Sequence, residues 1–240
     1  FRIDWDEVSD SISDKTRLII LNTPHNPTGT VLNATDIEAL KQILAGKDIY
    51  IISDEVYEHI IFDRVRHESV CLYPELLERS FVVSSFGKTF HATGWKIGYC
   101  QAPAELTKEF RKIHQFVNFT VSTPFQMALA DYLKVNMEFC DQLGSFYQAK
   151  RDYFCSLLSR SKFHVRPSQG TYFQLLDYSN ISGELDVTVS KDWTRNLGVA
   201  SIPISVFYKK PPASPQSLLR FCFAKDDATL EKAGEILCGI

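Results

Sequence analysis

The chain has 240 residues, 45% hydrophobic and 23% charged, enough for a packed core in one large domain with or without a smaller one. The formal net charge is −3 and no basic run stands out, which argues against a nucleic-acid partner. The apolar runs have strand length, far short of a membrane span, and the charged opening FRIDWDE is not a signal peptide. The six cysteines form no CxxC pair and several sit in apolar runs, so they read as buried free thiols in a reducing, cytoplasmic setting. The six histidines show no HExxH spacing, so no metal site is expected. The chain opens at Phe1 without an initiator Met and is expected to be part of a longer protein, its first residues leading directly into a strand.

Residues 17–22 (RLIILN) form an apolar run that suits a strand buried on both faces, as in a parallel sheet. TPHNPTG, residues 23–29, follows as a stiff loop at its C-terminal end. A helix comes next, with Thr35 and Glu38 as a capping box, Ile37, Leu40, Ile43 and Leu44 on one face, and Gly46 at its stop. A buried strand at 49–52 completes a βαβ unit and ends in SDEVY, residues 53–57. A third strand at 81–85 runs into the polar loop carrying Lys88, and a fourth at 95–100 follows so soon that it is expected to be antiparallel, giving a mixed sheet. Pro103 opens a helix with Leu106, Phe110, Ile113 and Val117 on one stripe. Thr123-Pro124-Phe125-Gln126 reads as a second capping box, opening a helical region to about Leu158 that breaks near Leu143-Gly144. Strands are expected at 163–165, 170–176, 199–202 and 218–223, helices near 192–196 and from Asp226 or Asp227, and a proline loop at Pro211, Pro212 and Pro215. The domain boundary is placed at 140/141.

Three polar clusters fall at the C-terminal ends of successive buried strands: Asn26, Asp54, and Ser85 with Lys88. In an open α/β sheet that edge binds ligands. An acid ending an apolar strand needs a cation or strong donors. An acid and a lysine on adjacent strand ends give an ion pair at minimum. They also suit a Schiff-base lysine beside an acid that holds a protonated pyridine nitrogen.

NTPHNPTG, SDEVYE, SSFGKTFHATGWKIGY and LRFCFAK, in this order, resemble the signature stretches of fold-type I, pyridoxal-phosphate-dependent aminotransferases. The wording of TFHATGWKIGY is similar to the kynurenine, glutamine and methionine aminotransferase group. The resemblance implies an α/β fold: part of a three-layer large domain with a mostly parallel sheet in residues 1–140, and a smaller α+β domain in 141–240. It implies a transaminase moving an amino group from an aromatic or sulfur-containing amino acid to a 2-oxo acid, in a homodimer with active sites at the subunit interface. Lys88 resembles the lysine that carries the cofactor as a Schiff base and moves the substrate proton. Asp54 resembles the acid paired with the pyridinium nitrogen, and Asn26 and Tyr57 the donors to the ring's phenolic oxygen. Ser85 and Lys96 resemble phosphate ligands, Lys96 standing where many relatives carry arginine. Arg220, with Asn26, resembles the grip on the substrate carboxylate, made through two parallel hydrogen bonds. Phe119 matches an aromatic that reaches the neighbouring subunit's pocket, and Thr120 departs from the histidine of some relatives. The Asn26–Pro27 peptide is expected to be cis. The family's phosphate loop, ring-stacking aromatic and substrate lid are expected upstream of Phe1, and the chain alone is expected to bind cofactor poorly. Three alternatives stand beside this reading: β-elimination from cysteine S-conjugates at the same site, the ligand-sensing half of a transcription regulator, and a degenerate fragment with a structural role.

Overall fold

The structure, a computed structural model, describes residues 1–210 and 216–240; the Pro211, Pro212 and Pro215 loop lies outside the described residues. The chain divides into two compact units, Phe1–Pro24 with Thr30–Gly144, and His25–Gly29 with Ser145–Ile240.

The first unit opens with a helix, α1 (Trp5–Ser11), where a strand was expected. Asp4 caps it by accepting from the Glu7 amide, and the Trp5 indole donates to Asp36 at 2.9 Å. Strands β1 (Leu18–Asn22), β2 (Tyr50–Asp54), β3 (Ser80–Ser85) and β4 (Gly98–Gln101) form one sheet in that order. The first three are parallel and β4 is antiparallel to β3, the mixed sheet that the short connection implies. Helix α2 (Ala34–Leu44) crosses from β1 to β2 and packs Ile37, Leu40 and Leu44 against Leu21, Ile51 and Val82. Its capping box is Asn33 with Asp36, not Thr35 with Glu38. Asn is as good a cap as any residue, and the apolar spacing does not choose between starts two residues apart. Val70 and Leu76, the latter on α3 (Pro74–Leu77), close the same core.

Only one face of β1 is buried: Leu21 is in the core, but Ile20 is 69% exposed and Leu18 is also exposed, against the expectation of two buried faces. Apolar residues of both parities signal two coverable faces, but the packing partner in this unit lies on one side. Helix α5 (Ala104–Val117) sets Phe110 against Phe81, with ring centroids 6.4 Å apart, while Ile113, Phe116 and Val117 are exposed. Helix α6 (Thr123–Val135) begins after Ser122 without a side-chain cap. Thr123 is therefore inside the helix, and Gln126 donates to the Val121 carbonyl instead of closing a capping box. The helical break falls at Asn136–Met137. Helix α7 (Glu138–Leu157) then runs through Gly144 unbroken. Gly144 is there for close approach: a Cβ at this position would lie 3.0 Å from the Ile61 carbonyl oxygen.

The second unit holds an antiparallel sheet in the order β5 (His164–Val165), β6 (Phe173–Asp177), β8 (Leu218–Cys222), β7 (Ile202–Pro203). Leu176 and Leu219 are fully buried, as are Leu230 and Leu237 of α9 (Asp227–Cys238), which Asp226 caps. Helix α8 (Asp186–Asp192) lies earlier than expected, and the expected span 192–196 is mostly a π turn, Trp193–Leu197, ended by Gly198 at φ +72°. The cis peptide is Thr23–Pro24, and Asn26–Pro27 is trans, the reverse of the expectation. The loop holds two X–Pro bonds, and a trans preference of only about 0.5–1 kcal/mol at each leaves the sequence unable to choose between them.

Candidate active site

In the first unit the parallel register sets Asn22 and Asp54, the last residues of β1 and β2, beside Val83, two residues before the end of β3. The Asp54 carbonyl accepts from the Thr23 amide and from the Asn22 side chain, both at 3.0 Å, so the end of β2 is held by β1. Its carboxyl accepts from the Val56 amide at 3.3 Å. Burial pushes this carboxyl above the usual carboxylate range, against the Val56 amide and the charge of Lys88, while neighbouring Glu55 adds to the rise. Tyr57, three residues on, is 2% exposed, and the Lys88 Nζ stands 5.8 Å from its ring centroid. Lys88 is carried on a one-turn helix, α4 (Phe86–Thr89), directly after β3 rather than in an open loop. Ser85 ends β3 at the entrance to that turn.

Two expected residues of this unit are solvent-exposed. Lys96 is exposed on left-handed backbone (φ +56°) two residues before β4, not within it. Phe119 is 82% exposed, also at positive φ, just beyond the end of α5.

In the second unit Asn26 and Arg220 meet, the Arg220 guanidinium donating to Asn26 Oδ1. Arg220 is half-buried on β8, 4.0 Å above the Phe173 ring centroid and 5.6 Å from that of Phe207. The stack fixes the plane of the guanidinium, which a two-point grip on a carboxylate requires.

Sequence reasoning missed the network behind Asp54. Glu55 is 1% exposed and accepts from Ser53 Oγ (2.7 Å), His67 Nε2 (2.7 Å) and the Val70 amide (3.3 Å). Its position after an apolar strand was a signal; His67, twelve residues away in a loop, gave none. Burial pushes the Glu55 carboxyl up, but the hydrogen bond and charge of His67 with the Ser53 and Ser69 hydroxyls outweigh it, so the group sits below its ordinary value. A depressed carboxyl stabilises the fold above its unfolded pKa, and that contribution is lost as pH falls through the folded value. The stability gap between wild type and Glu55→Gln should therefore narrow as pH drops below about 4.5, the ordinary value for glutamate. His67→Leu removes one hydrogen-bond donor from this buried carboxylate and should lower stability at pH 7 by about 1–3 kcal/mol. Urea titrations of the three proteins at pH 7 and pH 4 check both.

The first unit's edge thus offers a primary amine, a desolvated carboxyl and a buried phenol. A desolvated carboxyl is stabilised as an anion by a cationic ring nitrogen, and a primary amine can condense with an aldehyde, so these residues fit pyridoxal phosphate. All six cysteines are free, no metal-binding cluster occurs among the described residues, and no described helix is long and apolar enough to cross a membrane.

The family model for class I and II aminotransferases matches residues 1–237. The chain is 50% identical over 237 residues to a methionine aminotransferase of Escherichia coli, covering 99% of this chain and 61% of that protein. It is 36% identical over 258 residues to a kynurenine–oxoglutarate transaminase of Dictyostelium discoideum, covering 99% and 59%. A solved Escherichia coli structure described as having a methionine aminotransferase function superposes with a TM-score of 0.96 at 49% identity, over 100% of this chain and 63% of that one. An N-succinyldiaminopimelate aminotransferase from Mycobacterium tuberculosis follows at 0.92 and 36% identity, over 99% and 62%. The chain spans about 60% of the length of these relatives. Both the sequence and the α/β fold with its mixed, mostly parallel sheet place this chain in the class I and II aminotransferases, a family dependent on pyridoxal phosphate.

Proposed function

We propose that the protein carrying this chain is a transaminase that moves the amino group of an apolar amino acid, sulfur-containing or aromatic, to a 2-oxo acid. The observation that carries this reading is the grouping of Lys88, Tyr57 and Asp54 at one sheet edge. When bound, pyridoxal phosphate supplies the electron sink for the bond broken at the substrate Cα. Lys88 would hold the cofactor through its Nζ, and its amine, once released, would take the substrate Cα proton and deliver it to the carbon on the far side of the amino nitrogen. Asp54 holds the ring nitrogen in its protonated form. Tyr57 and Asn26 donate to the phenolic oxygen, and Ser85 and Lys96 bind the phosphate. Arg220 binds the substrate carboxylate, which leaves the amino group as the part of the substrate free to react.

The substrate class is supported by the methionine and kynurenine specificities named for the relatives. It is also supported by the exposed ring of Phe207, 5.6 Å from the Arg220 guanidinium, which offers apolar rather than cationic surface. We assign residues 1–140 to the cofactor-binding large domain and 141–240 to the small domain. A homodimer is supported by the exposed apolar side chains of Ile113, Phe116, Val117 and Phe119, for which a second copy is the natural cover, with Phe119 reaching the partner's substrate. The free cysteines support a reducing, cytoplasmic setting.

The test is single-turnover amino transfer by the intact protein, with methionine, glutamine, phenylalanine, kynurenine and aspartate offered separately and the 2-oxo acid quantified. Methionine and an aromatic donor are expected to react fastest and aspartate slowest. Aspartate reacting first, or no donor reacting, would overturn the reading.

A further inference from the structure

We propose that Arg151 is a positioning residue for the carboxylate-binding pair Asn26–Arg220, acting through Ser168 and Gly29. The proposal rests on the reading of Arg220 as the carboxylate grip. Arg151 lies on α7 and is 3% exposed. A guanidinium taken out of water is kept only where strong hydrogen bonds compensate it. Its Nε and Nη2 engage Asp152 Oδ1 at 2.8 and 2.7 Å, and its Nη1 donates to the Ser168 carbonyl at 2.7 Å. A buried charge is thus committed to a loop carbonyl, which fixes where that loop turns.

The next two amides of the loop, Gln169 N and Gly170 N, both donate to the Gly29 carbonyl, at 3.0 and 2.9 Å. Gly29 N in turn donates to the His25 carbonyl at 2.8 Å, closing the turn that presents Asn26. Asn26 Oδ1 then receives the Arg220 guanidinium. The clasp is tight: Gly29 sits at φ +71°, and a Cβ there would lie 2.6 Å from Ser168 Cβ. Gln174, fully buried, holds the loop from its other side by accepting from Ser168 N at 3.0 Å and donating to the Arg166 carbonyl at 2.8 Å. The result is a continuous path, Arg151 to Ser168 to Gly29 to Asn26 to Arg220, in which only the last two groups are assigned to touch the substrate.

A group that positions the grip affects how tightly the carboxylate is held, with little effect on the proton transfers at Lys88. The test uses the intact protein with Arg151→Met, Arg151→Lys, Gly29→Ala and Arg220→Lys. Four quantities are measured: kcat and KM for the preferred donor, the calorimetric Kd of 3-phenylpropionate (a carboxylate without an amino group), and the melting temperature. Arg151→Met should raise both KM and Kd by about tenfold or more, the worth of one charge-assisted hydrogen bond, with kcat little changed. Arg151→Lys, which retains a cation able to donate to the Ser168 carbonyl, should recover part of the loss. Gly29→Ala displaces Ser168 without altering Arg151 or any group assigned to the substrate, and should shift KM and Kd the same way. It decides the matter should Arg151→Met fail to fold. Unchanged Kd in folded Arg151→Met or in Gly29→Ala, or a fall in kcat at constant KM, would overturn the proposal. Unchanged Kd in Arg220→Lys would overturn the carboxylate reading itself, and this proposal with it.

Discussion

Lys88→Ala should end covalent capture of pyridoxal phosphate and lower turnover by at least about 10³-fold, since it removes both the attachment point and the group that moves the substrate proton. Proton handling by a positioned side chain alone is worth about 10²–10⁴. The structure gives reasons why no other lysine substitutes. Lys88 is held on a one-turn helix at the end of β3, half-buried and beside Tyr57, where its charge acts on Asp54. Lys96, the other lysine in this stretch, stands exposed on left-handed backbone. Lys88→Arg is the informative companion. It keeps the charge beside Asp54 but cannot form the imine, so it separates electrostatic support of the carboxylate from covalent capture. Borohydride reduction of the loaded protein followed by peptide mass analysis should place the cofactor's mass on the peptide containing Lys88 in wild type, and on no peptide in either variant. Multi-turnover activity retained by Lys88→Ala would remove the central assignment.

What the sequence discloses about this chain follows from how local each determinant is. The strand ends at Asn22, Asp54 and Ser85 are legible because an apolar run stops at a polar residue; parallel register sets the first two level, and Ser85 lies two residues beyond Val83, the partner of Asp54. The antiparallel β4 is legible from the shortness of its connection to β3. Helix starts are less so. Asn33 rather than Thr35, and Ser122 rather than Thr123, take the cap because several polar residues precede each apolar stripe and final packing selects among them. Gly144 looks like a helix breaker, yet it lies within α7 because the 59–61 segment approaches where a side chain would stand. The supports of the site are the least legible. Glu55 and His67 are twelve residues apart, and Arg151 and Ser168 seventeen, so no period or motif joins them. Their partnership exists only once each unit is folded, and it shows as a buried charge with a distant, well-directed partner.

Arg220→Met should raise KM for the amino donor by about 30-fold to several thousandfold, corresponding to the roughly 2–5 kcal/mol expected when one side of a hydrogen-bonded charge pair is removed. The stem of Met covers the Phe173 face much as the arginine stem does, so packing on β8 changes little while the charge and both parallel donors are lost. Asn26 also loses the donor to its Oδ1, which compounds the loss of orientation. Arg220→Lys tests geometry against charge. A lysine restores the positive end but not the planar fork stacked on Phe173, and should recover only a minor part of the affinity. Because the grip acts on a carboxylate common to all amino acids, both variants should weaken every donor by a similar factor and leave the order of preference unchanged. A change confined to one side-chain class would instead place Arg220 against the substrate side chain. KM values for methionine, phenylalanine and glutamine, compared at matched melting temperatures, decide between these outcomes.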